Sequence, residues 1–77
     1  MTLELGSRVY VVTGGLRSEE GLEVAAGSRG TVVGYAGPLV VVDVEDRETG
    51  ETLSLTTAEW NVRRLALFGV EEGQRAG

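Results

Sequence analysis

The sequence predicts an all-β fold, a small, highly bent barrel of five strands with one 3-10 turn before the last. Three observations carry this. The β-branched runs at 8 to 13, 31 to 35 and 39 to 46 are separated by short breaks marked by glycine and proline. Residues 51 to 56 alternate cleanly, with Leu53 and Leu55 to one side and Thr52, Ser54 and Thr56 to the other. Residues 16 to 26 show neither clean alternation nor enough length between glycines for a helix.

In chain order, Gly6-Ser7 opens the first strand, 8 to 13, and Gly14-Gly15 ends it. A long acidic loop follows over 14 to 26, whose Leu22 and Val24 are expected to fold back onto the core. Gly27 and Gly30 bracket the central turn, where a positive φ or a close backbone approach would forbid a Cβ. The second strand spans 31 to 35, and Ala36-Gly37-Pro38 breaks it, because proline cannot donate to a ladder. The third strand, 39 to 46, is the longest apolar run, and Arg47-Glu48-Thr49-Gly50 turns the chain into the alternating fourth strand. Thr57-Ala58-Glu59-Trp60 is too short for an α-helix and predicts a 3-10 turn that swings Trp60 under the barrel as a core plug. The fifth strand is 61 to 65. The barrel domain is placed at 1 to 67 and a flexible tail at 68 to 77.

Seventy-seven residues make one domain, which buries only about 60% of the surface its unfolded chain exposes. No deep pocket enclosed by the chain alone is expected. The absence of cysteine and histidine removes disulfides, thiolate chemistry and the usual zinc spheres, so no metal and no cofactor is expected. No His, Lys or Cys is present to activate Ser7, Ser28 or Ser54, and the chain reads as a non-enzyme. Net charge is −5, and all seven basic residues are arginine. That balance argues against nucleic acid as the main ligand, since phosphate binding is driven by cationic side chains displacing counterions. Residues 1 to 5 contain no basic region leading into a long apolar run, and no apolar stretch approaches the ~20 residues that span a bilayer. A cytoplasmic protein without membrane contact is the expectation.

The residues Gly6-Ser7-Arg8-Val9-Tyr10-Val11-Val12-Thr13-Gly14, followed by Gly27-Ser28-Arg29-Gly30-Thr31-Val32-Val33, resemble the KOW-type opening of SH3-like barrels. In that pattern a glycine precedes the first strand and a Gly-x-Val step begins the second. The span 6 to 65 is also similar to small subunits built on that barrel, such as the PsaE-type subunit of photosystem I. It is similar as well to short bacterial proteins with a Gly-Thr-Val-Val strand and a late Gly-Glu-Thr-Leu strand. The resemblance implies a five-stranded SH3-like barrel and, from its KOW members, a nucleic-acid, ribosome or polymerase association. KOW modules are basic and short-looped, whereas this chain is acidic and inserts about a dozen residues between its first two strands.

Alternation sets the candidate core at Val9, Val11, Val32, Val40, Val42, Val44, Leu53, Leu55 and Val62. It sends Tyr10, Val12, Val33, Tyr35, Leu39 and Val41 to the opposite face, where a free-standing barrel wants polar residues. Either the chain's own loop and tail cover that face, or it is a surface for a protein partner or a second copy, with Tyr10, Val12, Val33, Tyr35 and Val41 as contacts. The acids at 43 to 51 lack calcium-loop spacing and read as a solvated hairpin end. Gly27-Ser28-Arg29-Gly30 reads as turn chemistry, and Arg63-Arg64 with Arg8 or Arg29 as a local basic spot. The functional expectation is a non-catalytic protein-binding module or accessory subunit of a larger complex, binding through that exposed apolar and aromatic face and the long 14 to 26 loop. The alternatives are a KOW-like nucleic-acid binder, a self-assembling particle subunit, or an acidic imitator of nucleic acid.

Overall fold

The computed structural model describes residues 3 to 65. The expected tail at 68 to 77 and the end of the 1 to 67 domain lie outside them. Seven strands run in the order β1 (Arg8–Val11), β2 (Leu16–Arg17), β3 (Glu23–Val24), β4 (Arg29–Ala36), β5 (Leu39–Glu45), β6 (Thr52–Ala58) and β7 (Val62–Arg64), with a 3-10 turn at Glu59–Asn61 between the last two. Five of them form an antiparallel sheet of order β6-β5-β4-β1-β7, while β2 and β3 make a separate hairpin. The fold is therefore mostly β with a 3-10 turn, as expected. The sheet is open: β6 and β7 are its two edges, and among the described residues they do not pair with each other.

The core follows from the two-residue period. Val40, Val42 and Val44 alternate along β5, and the register sets Val32, Val42 and Leu55 in one row and Gly30, Val44 and Leu53 in the next. Opposed residues share a face, so each row presents aliphatic side chains to the same side. All nine expected core residues are buried, and Val24 joins them from β3. Gly30 belongs to this core for a steric reason, because a Cβ there would meet the Asp43 carbonyl and lie 2.8 Å from Val42 Cγ1. Gly27 fills the other expected role, with φ at 92° in the turn before β4.

The segment at 14 to 26 is more ordered than a loop. Leu16 pairs with Val24 and Arg17 with Glu23, and the tip is tied by Ser18 N–H to the Leu22 carbonyl at 2.8 Å and Gly21 N–H to the Ser18 carbonyl at 2.9 Å. Val24 is buried as expected, but Leu22 is 47% exposed; Leu16, with Leu3, packs against the core instead. The tip also covers the β6 edge. Glu19 N–H donates to the Ser54 carbonyl at 2.7 Å, and Ser54 N–H donates to Glu20 Oε1 at 3.1 Å. Otherwise unpaired strand groups are thereby satisfied by the molecule's own hairpin.

Two expectations are corrected. Tyr35 does not share the face of Val41: the register slips between Val32 and Gly34, so Gly34 opposes Val41 and Tyr35 opposes Val40. This is a β-bulge at Val33, and one extra residue reverses the parity of everything after it. Trp60 is not a core plug. It is 80% exposed, and the partly buried side chains packed on the valine core are Leu3 and Leu16.

Candidate protein-binding site

The 3-10 turn is fixed by its neighbours rather than by its own length. Asn61 is the bracket: its Nδ2 donates to Thr57 Oγ1 at 2.8 Å, its Oδ1 accepts from Thr13 Oγ1 at 2.8 Å, and its carbonyl accepts from Val12 N–H at 2.9 Å. On the other side, Leu3 N–H donates to Glu59 Oε2 at 3.0 Å, and the Leu3 carbonyl accepts from the Tyr35 hydroxyl. Trp60 thus projects from a turn held at both flanks. An exposed indole on a rigid backbone loses little entropy when a partner covers it.

These bonds also gather other apolar side chains. Val12 is joined to Asn61 and Tyr35 to Glu59 through Leu3, while Leu39 opposes Ala58, the residue before the turn. Val12 and Leu39 are 36% exposed and Tyr35 is 47% exposed, so the segments tied to Glu59–Asn61 carry a belt of uncovered apolar residues that wraps the end of the sheet, Leu39 on one face and Tyr35 on the other. Val33, on its bulge two residues from Tyr35, is exposed to the same extent as Tyr35.

Of the five residues singled out from the sequence, Val12 and Tyr35 belong to this belt and Val33 borders it. Tyr10 and Val41 do not: both are half-buried on the outer face of the sheet, Tyr10 opposite Arg29 and Arg63, and Val41 opposite Gly34 and Thr56. The residue that sequence reasoning missed is Trp60. Its signal was present in the short polar neighbourhood Glu59-Trp60-Asn61, which offers no apolar companion to bury an indole.

A cleft of about 600 Å³ lies at the far end of β5, between residues 22 to 25 and the β5–β6 turn. Val44 and Leu53 form part of its wall, and Glu23, Glu45, Asp46, Arg47 and Glu48 supply its charge. The cleft is about 20 Å along β5 from the belt, given ~3.3 Å per strand residue. Asp46 is committed to structure there, since its carboxylate accepts from Glu48 N–H at 3.1 Å and Thr49 Oγ1 at 3.0 Å. Among the described residues no group of three or more acidic side chains is arranged to hold a metal ion. No helix among them is long and apolar enough to cross a membrane.

Among the described residues, Glu20 is the one side chain whose acidity clearly departs from the ordinary value. Hydrogen bonds from Ser54 N–H, from its own N–H and from the Ser18 hydroxyl hold its carboxyl below 4.5, against a smaller opposing effect of desolvation. No protein-family model and no curated protein matches this chain.

Proposed function

We propose that this chain is a non-catalytic protein-binding module of the SH3-like kind, an accessory subunit that docks through the apolar belt around Trp60. The observation that carries the reading is Trp60 itself, the largest side chain in the molecule, 80% exposed on a turn pinned by Asn61 and Leu3. Tryptophan and tyrosine are the residues most enriched among binding hot spots, and a rigid aromatic anchor ringed by smaller apolar groups excludes water when covered.

The SH3-like part is supported by the five-stranded antiparallel order, by the 3-10 turn that precedes the last strand among the described residues, and by β4, whose start at 29 to 31 pairs with β1 while 30 to 36 pairs with β5 across a bulge. A strand shared in this way lets the sheet bend sharply, as a small barrel requires.

The test is capture of partners from the source cell by the wild-type chain and by Trp60→Ala. The expected result is a partner retained at high salt by the wild type and lost by the variant, with the variant's circular dichroism and melting unchanged. Retention by a folded Trp60→Ala variant refutes the belt as the site.

A further inference from the structure

The outer face of the sheet separates its charges by strand. Adjacent strands β7, β1 and β4 carry Arg8, Arg29, Arg63 and Arg64 and no carboxylate. The register puts Tyr10 directly between Arg29 and Arg63, and Arg8, two residues along β1, shares their face; Arg64 opposes Val9 and faces the other way. On β5 the side chains turned to this same outer face are Leu39, Val41, Asp43 and Glu45, with no arginine among them. One row states the pattern: Arg8, Thr31, Asp43 and Ser54 lie side by side across β1, β4, β5 and β6.

In that row Thr31 stands midway between an arginine and an aspartate, about 10 Å from end to end at ~4.8 Å per strand spacing. On this side the central strand presents Arg29 at its start and then the smaller Thr31, Gly34 and Ala36, with Val33 exposed on the bulge. A two-fold axis running along β4, between two sheets packed face to face, lays β1 of each copy over β5 of the other. Arg8 then meets Asp43 of the second copy twice, and half-buried Tyr10 and Val41 lie two residues along the strands to either side of that row. Arg8 and Asp43, one strand to either side of Thr31 in a single row, are brought into register with their opposites by such a rotation.

We propose that the outer face is an isologous contact with a second copy of this chain, organised by reciprocal Arg8–Asp43 pairing. This goes beyond the reading based on Trp60 and rests on different contacts, Arg8 and Asp43, on a face whose margin includes Leu39 of the belt. A polyanion is the weaker occupant: only Arg8, Arg29 and Arg63 would meet its phosphates, with Asp43 and Glu45 bordering them. Repulsion between two chains of net charge −5 is screened at physiological ionic strength, where the Debye length is about 8 Å, while the paired groups would lie closer than that.

The experiment is sedimentation velocity over a range of protein concentrations on the full chain, with charge reversals. The expected result is a monomer–dimer equilibrium that stops at the dimer and is weakened about tenfold or more by Arg8→Glu and by Asp43→Arg separately. It should be restored when the two variants are mixed, and when both changes are made in one chain. If Asp43→Arg fails to fold, Asp43→Asn takes its place and should weaken the dimer in the same direction. Trp60→Ala should leave the dimer intact, which separates this outcome from that of the belt. A wild type that stays monomeric throughout, assemblies that grow past the dimer, or reversals that fail to compensate each overturn the proposal. So does binding of a single-stranded oligonucleotide that is lost with Arg8→Glu in a chain that never dimerises.

Discussion

The molecule treats its large apolar side chains in two ways. In the rows Val32–Val42–Leu55 and Gly30–Val44–Leu53, each residue is opposed by neighbours on the same face and almost nothing is left to solvent. Around the 3-10 turn, Tyr35 and Val12 are tied by their own hydrogen bonds, Leu39 by its strand pairing and Trp60 by those of its neighbours Glu59 and Asn61, yet all four remain open to water. A chain that buries ten aliphatic residues so fully is not short of ways to cover apolar surface. The contrast teaches that burial here tracks the strand period, and that the most exposed large apolar side chain, Trp60, stands on a turn fixed by specific polar contacts, with Leu5 and Leu22 exposed elsewhere.

Leu55→Ala is the severest way to break the first region. Leu55 is 1% exposed in the middle of its row, and its truncation leaves a cavity among valines too short to collapse into it. A loss of about 2 to 5 kcal/mol is expected in urea unfolding. Asn61→Ala sharpens the boundary between the regions, because it removes the bracket and leaves buried Thr57 without its donor. Its cost should be about 1 to 2 kcal/mol, with the Trp60 fluorescence of the folded state shifted as the turn loosens. Trp60→Ala should change stability by no more than about 0.5 kcal/mol, since the indole is mostly in water already. If Trp60→Ala proved as costly as Leu55→Ala, the distinction between the two regions would be lost.

The same contrast explains what could be read in advance. The nine core residues were legible because a period of two is written into residues 39 to 45 and 52 to 56, and a buried face enforces it. Tyr35 was misplaced because a bulge leaves no mark in hydrophobic pattern: the slip at Val33 depends on how β4 meets β5, and Gly34 merely permits it. The hairpin inside 14 to 26 escaped for a related reason, since two-residue strands carry no period and their partner, the β6 edge, is remote in sequence. The exposure of Trp60 runs against the general habit of tryptophan, and the side chains that pack on the core from outside the valine rows are Leu3 and Leu16, both remote from it in sequence. The basic spot around Tyr10 was partly legible, as arginines without a register. The pairing then settled that Arg8, Arg29 and Arg63 share a face and Arg64 does not.

The smallest effect concerns the cover that the core possesses and the belt lacks. The 18 to 21 tip closes the β6 edge partly through the Glu20 carboxylate, which accepts from Ser54 N–H at 3.1 Å and is held below its ordinary value of 4.5 by such donors. A depressed carboxyl binds its proton less tightly in the folded chain than in the unfolded one. Its contribution is therefore present above the unfolded value and disappears as pH falls through the folded one. The expected result is that the Ser54 amide chemical shift titrates with a midpoint below 4.5, together with the Glu20 carboxyl carbon, while amides of the Val42 row stay unchanged. Glu20→Gln should remove that titration and leave Glu19 N–H bonded to the Ser54 carbonyl. A Ser54 amide that ignores pH, or a Glu20 midpoint above 4.5, would show that the hairpin covers the edge through its backbone alone.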